Sequence, residues 1–218
     1  MKKILILTML FLAVGLTFAQ EQAVLREFSG KVEVMPPGKN WEPAARNLVL
    51  PAGTVISTGF NSFATIQAGS ATIQVKPLTR MAVSKLVKAQ GEQKTSLDLK
   101  VGRVRAKVEK VEGLEHDFTL KSPVSTAAVR GTEFDFSGTG LRVWEGIVRY
   151  ANAIGQSRTI VRGESSSIKG LQAPASPEEA AIATSKTEIS TRPAGAAERV
   201  GGKASLTGSV KITVNTVK

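Results

Sequence analysis

The alternation of apolar and polar residues favours short β-strands over helices along most of the chain. In "GKVEV", Val32 and Val34 alternate with the charged residues Lys31 and Glu33. Further short apolar runs, punctuated by glycine and proline, contain Val55, Ile66, Ile73 and Val75. Runs of this length are typical of strands, and helical periodicity is absent as far as about residue 170. The pattern therefore predicts an all-β fold built from short strands.

The segment "TSLDLKVGRVRAKVEKV" reverses the phase of this alternation near its centre. Its apolar residues have one parity before the glycine and the opposite parity after it: Leu97, Leu99 and Val101, then Val104, Ala106 and Val108. Because a slip of one residue turns a buried face outward, Gly102-Arg103 is predicted to form a bulge or corner. The Gly-x-Val pattern recurs at Gly30, Gly146 and Gly208. It indicates either one corner geometry used repeatedly or a chance repetition in a glycine-rich chain.

Basic residues occupy the outward positions that follow this corner. Arg103, Arg105 and Lys107 alternate with the apolar residues, so strand geometry places them along one face, about 7 Å apart. One interpretation is a strand edge that is kept charged to prevent aggregation between sheets. The other is a docking stripe for an acidic partner.

The two tryptophans lie in different contexts. Trp144 lies in the dense strand pattern "LRVWEGIVRY" and is predicted to belong to the core. Trp41 lies in the loop-like stretch "GKNWEPA" and is a candidate to face a ligand. With Lys39 and Asn40 beside it, Trp41 is the aromatic platform that a polysaccharide-binding function would use.

The first residues have the pattern of a secretory signal peptide. Lys2 and Lys3 precede an apolar run from Ile4 to Phe18, and cleavage is predicted after Ala19. The apolar run is too short for a membrane-spanning helix, which needs about 20 residues. We therefore expect a periplasmic or secreted protein whose processed chain contains no transmembrane segment.

Composition and charge narrow the possible partners. The chain has no cysteine, so disulfides cannot stabilise it. Removing Lys2 and Lys3 from its 29 basic residues leaves 27 against 18 acidic residues, a net charge of +9. In the cell envelope the acidic partners for such a chain are lipid head groups, polysaccharides and acidic proteins, and nucleic acid is not expected. The sequence does not indicate the oligomeric state.

The composition changes after Gly170. Residues 171–204 are rich in Ala, Ser, Thr, Pro and Gly, and are predicted to form a mostly disordered, flexible linker. Within this linker, Ser176, Pro177 and Glu179 have the spacing of a capping box, which predicts a short helix. Residues 205–218 alternate again and are predicted to form a terminal strand. That strand would pair either with this domain or with a partner, because so short a segment does not fold alone.

The sequence contains no set of residues typical of a catalytic centre. His116 is the only histidine and is predicted to be an ordinary turn or surface residue, since no G-x-S-x-G elbow accompanies it. A glycosidase would need two converging carboxylates, and the strand-adjacent candidates are Asp98, Glu133, Asp135 and Glu145. Pairing with neighbouring basic side chains is the preferred interpretation of these four. We expect no enzymatic activity, no cofactor and no bound metal.

The stretch "SPVSTAAVRGTEFDF" resembles the signature of the FecR domain family, in which Ser/Thr-Pro and small residues precede Val-Arg-Gly-Thr-x-Phe. "LVLPAGTVISTGFNSFATIQAGSATIQV" is similar to the opening strands of that family, and "LDLKVGRVRAKV" and "LRVWEGIVRY" are similar to two later ones. The resemblance extends from Val24 to Gly170. It implies an all-β periplasmic domain, here residues 20–170, with strands in a twisted solenoid-like or sandwich-like stack. The family's namesake relays an iron-transport signal across the membrane to a sigma factor, but we expect only the domain to carry over to this chain.

The resemblance marks a set of signature residues for which a structural role is predicted: Pro123, Val129, Arg130, Gly131, Thr132 and Phe134. Gly131 is predicted to adopt a conformation, or a close backbone approach, that a Cβ atom would forbid. Arg130 is predicted to bind carbonyl oxygens or a carboxylate of adjacent strands, and partner binding is the alternative. Phe134 and Phe136 are predicted to fill the core.

These observations together predict an exported, non-catalytic FecR-domain protein that acts as a binding, scaffold or signalling module of the envelope. It would dock onto another protein through a charged strand edge, or by strand addition through residues 205–218. The candidate binding residues are Arg103, Arg105, Lys107 and Trp41. The alternative is a module that binds polysaccharide or peptidoglycan.

Overall fold

A computed structural model describes residues 22–89 and 91–188 of the chain. The first eight strands are β1 (Ala23–Ser29), β2 (Val32–Met35), β3 (Glu42–Pro43), β4 (Leu48–Leu50), β5 (Val55–Thr58), β6 (Phe63–Ala68), β7 (Ala71–Val75) and β8 (Arg80–Ala89). The next nine are β9 (Glu92–Val101), β10 (Val104–Val108), β11 (Glu115–Lys121), β12 (Ser125–Val129), β13 (Glu133–Phe136), β14 (Gly140–Glu145), β15 (Ile147–Asn152), β16 (Ser157–Val161) and β17 (Ser165–Ser167). A helix, α1 (Pro177–Glu188), follows them.

The strands form two sheets, which confirms the predicted all-β fold. Sheet A has the order β17-β14-β13-β10-β7-β6-β1-β4, and sheet B has the order β16-β15-β12-β11-β9-β8-β5-β2-β3. Neighbouring strands pair antiparallel, whereas β9 and β11 pair in parallel. The chain passes repeatedly from one sheet to the other, so each sheet collects strands from the whole length of the domain.

The two sheets pack face to face on one apolar core, so the arrangement is sandwich-like. The ring of Phe118 in sheet B meets that of Phe134 in sheet A edge to face, with 6.3 Å between ring centroids. Phe136 and Tyr150 make the same contact between the sheets, also at 6.3 Å. The predictions for Phe134 and Phe136 are confirmed, because both are fully buried. Burying each such side chain contributes about 1.5–3 kcal/mol.

The predicted change of phase at Gly102-Arg103 is a corner that links β9 in sheet B to β10 in sheet A. Apolar residues on both sides of it are buried, namely Leu97, Leu99, Val104, Ala106 and Val108. Val101 is exposed, although it has the parity of Leu97 and Leu99. The pairing of β8 with β9 shifts register just before it, so Val101 lies opposite the outward-facing Arg80.

A buried hydroxyl group holds each described Gly-x-Val corner by accepting a hydrogen bond from the N–H of its middle residue. The pairs are Ser62 with Lys31 (2.9 Å), Thr79 with Arg103 (3.0 Å) and Thr132 with Ile147 (3.4 Å). The hydroxyl comes so close that a side chain on the glycine would collide with it. At Gly102, where φ is +98°, a Cβ atom would lie 2.5 Å from the Cα atom of Thr79. The recurring motif is therefore one corner geometry.

The corners lie in two stacks at opposite ends of the sandwich. The first corner stack comprises residues 30–31, 59–62, 76–79 and 102–103, and backbone hydrogen bonds such as Leu78 N–H to Gly59 O (3.1 Å) join its members. The second corner stack comprises residues 130–132 and 146–147, in which Thr132 Oγ1 donates to Ile147 O (3.0 Å). Strand β10 runs from the first stack to the second.

Residues 171–175 lie against the domain instead of leaving it. The Asn152 side-chain amide donates to the carbonyl oxygens of Leu171 (3.0 Å) and Gln172 (3.1 Å). The Ala175 N–H donates to Ser167 O at 2.8 Å. Residues 171–175 make these contacts through their backbone groups, which composition does not reveal. These contacts lie past the boundary predicted at Gly170.

The helix α1 lies where the capping-box pattern predicts one. The Glu179 N–H donates to Ser176 Oγ (3.2 Å), and the Ser176 N–H donates to Glu179 Oε2 (2.7 Å). These two reciprocal bonds satisfy backbone donors at the start of the helix.

Several predictions lie outside the described residues and stay predictions: the signal peptide of residues 1–19, the linker beyond residue 188, the Gly208 corner and the terminal strand of residues 205–218. Within the described ranges, none of the helical structure is long and apolar enough to cross a membrane.

Candidate functional site

The outer face of sheet A carries a continuous row of polar side chains centred on β10. Cross-strand partners follow one another across six strands in the order Thr65, Gln74, Arg105, Asp135, Arg142, Ser165. Each of these residues alternates with buried neighbours on its own strand, so strand geometry points it outward. Arg105 lies in the middle of the row because β10 pairs with β7 on one side and β13 on the other.

A carboxylate in this row fixes two neighbouring side chains. Arg105 binds Asp135 in a bidentate manner, with Nε donating to Oδ1 (2.9 Å) and Nη2 donating to Oδ2 (2.8 Å). The indole Nε1–H of Trp144 donates to the same Oδ2 atom at 2.7 Å. Bidentate guanidinium–carboxylate pairs restrict geometry strongly, so Asp135 sets the positions of both Arg105 and Trp144.

The ring of Trp144 contacts two guanidinium groups. The Cζ atom of Arg105 lies 5.0 Å from the ring centroid and that of Arg142 lies 4.3 Å from it. Both distances are within the range of about 6 Å for cation–π contact. Trp144 nevertheless stays 39 % exposed. We call Arg105, Asp135, Arg142 and Trp144 the tryptophan–arginine patch.

The charges of the patch support one another. Burial works against ionisation of Asp135, but hydrogen bonds from Arg105 and Trp144, together with the Arg105 charge, hold the pKa of this carboxyl below its ordinary value. The hydrogen bond from Arg105 to Asp135 in turn raises the pKa of the guanidinium. The pair therefore stays ionised and keeps the indole in place at neutral pH.

The prediction that Trp144 belongs to the core is wrong. Leu141 and Val143 are the buried residues of β14, so strict alternation places Arg142 and Trp144 on the outer face. A register shift opposite Glu133 also makes Trp144 the extra residue of its strand. The density of apolar residues in "LRVWEGIVRY" conceals this alternation, although the parity of Leu141 and Val143 would have indicated the patch.

The three basic residues predicted to form a stripe do not lie on a strand edge. Strand β10, which carries Arg105 and Lys107, is an interior strand of sheet A, so protection of an edge does not explain the charges. Arg103 lies in the first corner stack and lines a cleft of about 310 Å³ together with Asp135 and Trp144. The Lys107 Nζ atom lies 3.7 Å from a carboxylate oxygen of Glu109, further along the same face.

Trp41 lies apart from these residues. It is next to β3, at the edge of sheet B, and is 41 % exposed. The Arg80 Cζ atom lies 5.4 Å from its ring centroid, which leaves part of the indole open to solvent. The structure therefore brings Arg103 and Arg105 together with Trp144, and not with Trp41.

Arg130 lies at the second corner stack and binds carboxylates, one of the two kinds of partner predicted for it. Its Nε atom donates to Asp117 Oδ1 at 2.8 Å, and its Nη1 atom pairs with Glu115. All three side chains are largely exposed, so solvent weakens these ion pairs. Gly131 beside it has a φ of +65°, a conformation that favours glycine.

The other signature residues occupy structural positions. Val129, Thr132 and Phe134 are buried. Pro123 lies in the turn between β11 and β12. Ser122 precedes Pro123 and anchors this turn, because its Oγ atom donates to Gly138 O at 2.9 Å.

The prediction that His116 is an ordinary turn or surface residue is wrong. His116 lies on β11 and is only 5 % exposed. Its Nδ1 atom is 2.6 Å from Ser70 Oγ, and its Nε2 atom is 2.9 Å from Thr95 Oγ1. Burial lowers the pKa of the imidazole, and the charge of Asp117 opposes this effect. The inward parity of His116 on its strand was the signal that sequence reasoning missed.

Two of the four candidate carboxylates share a cleft. Glu133 and Glu145 are cross-strand partners. They line a cleft of about 520 Å³ beside the second corner stack. Basic side chains line it as well, namely Lys107, Lys110 and Arg162. Asp98 lies on sheet B, and Asp135 belongs to the patch. Within the described residues, no three His, Asp or Glu side chains are placed to hold a metal ion.

Comparison with known proteins relates this chain to a protein family. Residues 54–149 match the family model described as FecR protein, which confirms the resemblance. Two crystal structures of a proposed anti-sigma factor from Parabacteroides distasonis are similar to this chain, at 13 % sequence identity and TM-scores of 0.46 and 0.45. Each alignment covers 55 % of this chain and 56 % of that protein, so this chain spans little more than half of the other's length. No curated protein sequence matches the chain.

Proposed function

We propose that this chain, which carries a FecR domain over residues 54–149, is a non-catalytic module of the cell envelope that docks onto an acidic partner protein through its tryptophan–arginine patch. The observation that supports this function is the exposed indole of Trp144, fixed by Asp135 against two guanidinium groups. Tryptophan and arginine are the residue types most enriched in the hot spots of protein interfaces.

The chemistry of the patch favours a partner that carries carboxylates. Asp135 engages Arg105, whereas the guanidinium of Arg142 rests on the indole, and within the described residues neither Arg142 nor Arg103 is in an ion pair. Planar guanidinium groups match carboxylates in a two-point geometry. Because Asp135 already fixes the indole, little side-chain freedom is lost when the partner binds.

The family and the predicted export together support a signalling or scaffold role in the envelope. A FecR domain with an outward patch for a protein partner suits either role. Strand addition by residues 205–218 would add a second contact with the same partner.

Photocrosslinking in the producing cells tests this function. A benzophenone amino acid at Gln74, which lies beside Arg105 on the outer face of sheet A and leaves the indole of Trp144 in place, should give a discrete adduct of higher mass. The same group at Thr159, which is exposed on sheet B, should not. The charge reversal Arg142→Glu should remove the position-74 adduct, because it would repel an acidic partner. The matched reversal Arg149→Glu, on the outer face of sheet B, should leave it intact. An adduct of equal yield in both reversals would refute the patch as the docking site.

A polysaccharide-binding function is the second candidate, supported by the exposure of Trp41 at the edge of sheet B. Its test is sedimentation of the processed protein with purified cell wall. Loss of wall binding in Trp41→Ala, with binding retained in Trp144→Ala, would favour this second function. The reverse result, or no sedimentation of the wild-type protein, would favour the first.

The shared cleft of Glu133 and Glu145 provides a test of the non-catalytic part of the proposal. Purified cell wall incubated with the processed protein should release no soluble sugar or muropeptide. Release that disappears in Glu145→Gln would instead assign a hydrolase.

A further inference from the structure

Three large apolar side chains are exposed in the first corner stack or directly before it. Phe60 is 81 % exposed, Val101 is 60 % exposed and Leu78 is 50 % exposed. They belong to the successive corners β5–β6, β7–β8 and β9–β10. Backbone hydrogen bonds join these corners, from Leu78 N–H to Gly59 O (3.1 Å) and from Lys76 N–H to Arg103 O (3.0 Å). The three side chains therefore form one apolar ridge along this end of the sandwich.

Leu78 adopts an unfavourable backbone conformation in this ridge. Its φ is +55°, and it follows Pro77 in a tight turn. Glycine or asparagine is favoured at such a position, because a Cβ atom makes the left-handed region costly. Leucine here is not explained by packing in the core, since half of its surface is exposed. The conformation presents an apolar side chain to the surroundings.

Basic residues lie in the same corners or at the strand ends next to them. They are Lys31, Lys76, Arg80, Lys100 and Arg103. Glu33 pairs with Lys31 at 3.4 Å, whereas neither Lys100 nor Arg103 is in an ion pair within the described part of the chain. An apolar ridge with a basic border is complementary to an anionic surface that has an apolar interior.

We propose that the first corner stack binds the surface of an anionic lipid bilayer. Phe60 and Leu78 enter the head-group region, and the basic residues bind lipid phosphates. The ridge is convex, because its side chains project from tight turns. A fluid bilayer accommodates such a shape, whereas a protein partner would need a matching groove. Apolar area and attraction to anionic head groups together set the strength of this kind of binding.

This inference goes beyond the proposed docking function, because the apolar ridge is a different surface; the two share Arg103, which lies at the border of the ridge and also lines the cleft beside the tryptophan–arginine patch. The ridge lies at one end of the strands, and the tryptophan–arginine patch lies on the outer face of sheet A. A domain seated on the bilayer by its end keeps that face accessible. The two surfaces together would hold a partner protein at the membrane.

Vesicle flotation of the processed chain from Gln20 to Lys218 tests the proposal. The predicted signal peptide is left out because its apolar run would itself insert into lipid. Vesicles with about one-third phosphatidylglycerol in phosphatidylcholine, at about 0.1 M salt, should float the protein. Vesicles of phosphatidylcholine alone should not. The double variant Phe60→Ser/Leu78→Gly should bind the anionic vesicles about tenfold more weakly.

The controls separate loss of binding from loss of folding. Glycine suits the φ of Leu78 and Phe60 is almost wholly exposed, so the double variant should melt no earlier than the wild-type protein. Val111→Ser, which removes an exposed apolar side chain in the β10–β11 loop at the opposite end, should float like the wild-type protein. Brominated lipids should quench the Phe60→Trp variant more strongly than they quench the wild-type protein.

Three results would overturn the proposal. One is equal flotation of the wild-type protein and the double variant. Another is absence of excess quenching in Phe60→Trp. The third is capture of the wild-type protein and the double variant alike by soluble poly-glutamate, without any preference for anionic vesicles. That last result would assign the basic border to an acidic macromolecule instead of a lipid surface.

Discussion

The two corner stacks solve the same geometric problem with the same parts. In each, a glycine with positive φ turns the chain between the sheets, and a buried threonine hydroxyl binds the backbone of the next residue. Thr79 binds both backbone groups of Arg103 in the first stack, and Thr132 binds those of Ile147 in the second. The glycine and the hydroxyl therefore fix the backbone conformation of each corner.

The outer residues of the two stacks differ. The first stack presents Phe60 and Leu78 to solvent within a basic border, whereas the second presents one large apolar side chain, Ile147, beside Arg130 paired with carboxylates. Because the glycine and the hydroxyl already hold each corner, we expect these outward residues to contribute less to stability than the interior of the corner does. The comparison separates residues that build the fold from residues available for binding.

The substitution Gly102→Ala should break the first stack and have the largest effect on stability. The added Cβ atom would lie 2.5 Å from the Cα atom of Thr79, so backbone has to move. We expect a loss of about 3 kcal/mol or more in the free energy of unfolding. Urea denaturation of the processed protein measures it.

A second glycine supplies the control for that substitution. Gly113 also has a positive φ, of +73°, but no atom lies within 4 Å of its Cβ position. Gly113→Ala should therefore cost only the conformational penalty, about 1 kcal/mol. Equal losses in the two variants would show that close approach at the corner is unimportant.

Removing the corner hydroxyls should have the next largest effect and should rank the two stacks. Thr79→Val leaves the Arg103 N–H without its acceptor and also removes the bond to Arg103 O, at 3.0 and 3.1 Å. We expect a loss of about 2 kcal/mol, as for a partly buried donor that loses its acceptor. Thr132→Val should cost about 1 kcal/mol, because its bond from the Ile147 N–H is longer, at 3.4 Å. Urea midpoints at unchanged slope measure both losses, and a larger loss in Thr132→Val would contradict this ranking.

The sequence predicted the strands and the corners because both follow from local rules. Alternation placed Val104 and Phe134 inside, and the phase change located the corner at Gly102. The hydroxyl partners were not predictable in the same way. Ser62 and Lys31 are 31 residues apart, so nothing within the Gly-x-Val motif indicates their contact.

The candidate site was predicted only in part. Parity placed Arg105 and Lys107 correctly on an outer face, but strand order across a sheet depends on distant pairings. Local pattern therefore could not show that β10 is an interior strand. Trp144 and His116 were misplaced for a different reason, since residue type was given more weight than strand parity. Strict alternation along each strand places Trp144 outside and His116 inside.

Acidification should lower the stability of the protein through His116, at the end of the sandwich that contains the second corner stack. The hydroxyls of Ser70 and Thr95 face the two ring nitrogens of His116. Ser70 also accepts a hydrogen bond from the Glu109 N–H through its backbone oxygen, which places His116 close to the second corner stack. Burial lowers the pKa of the imidazole below that in the unfolded chain, which is about 6.5. The unfolded chain then binds more protons at low pH, so this contribution to stability is complete above about pH 6.5 and is lost as the pH falls through the lower folded pKa.

Unfolding free energies between pH 7.5 and 5 test this contribution against a matched variant. Charged neighbours also titrate or act at a distance, notably Lys94 on β9 and Glu115 and Asp117 on β11. The relevant quantity is therefore the difference between the wild-type protein and His116→Gln. The wild-type protein should lose more stability over this interval. Parallel pH curves for the two proteins would show that His116 is not the group responsible.

The smallest effect should come from Arg130→Lys in the second stack. Lysine keeps the charge but loses the fork that reaches Asp117 and Glu115 together. Exposed ion pairs contribute about 0–1 kcal/mol, so the melting temperature should fall by only a few degrees at most. If melting and secretion stay unchanged while the position-74 adduct disappears, Arg130 binds the partner and its structural role is wrong. A large fall in melting temperature would instead mean that this corner, unlike the first, depends on its outward residue.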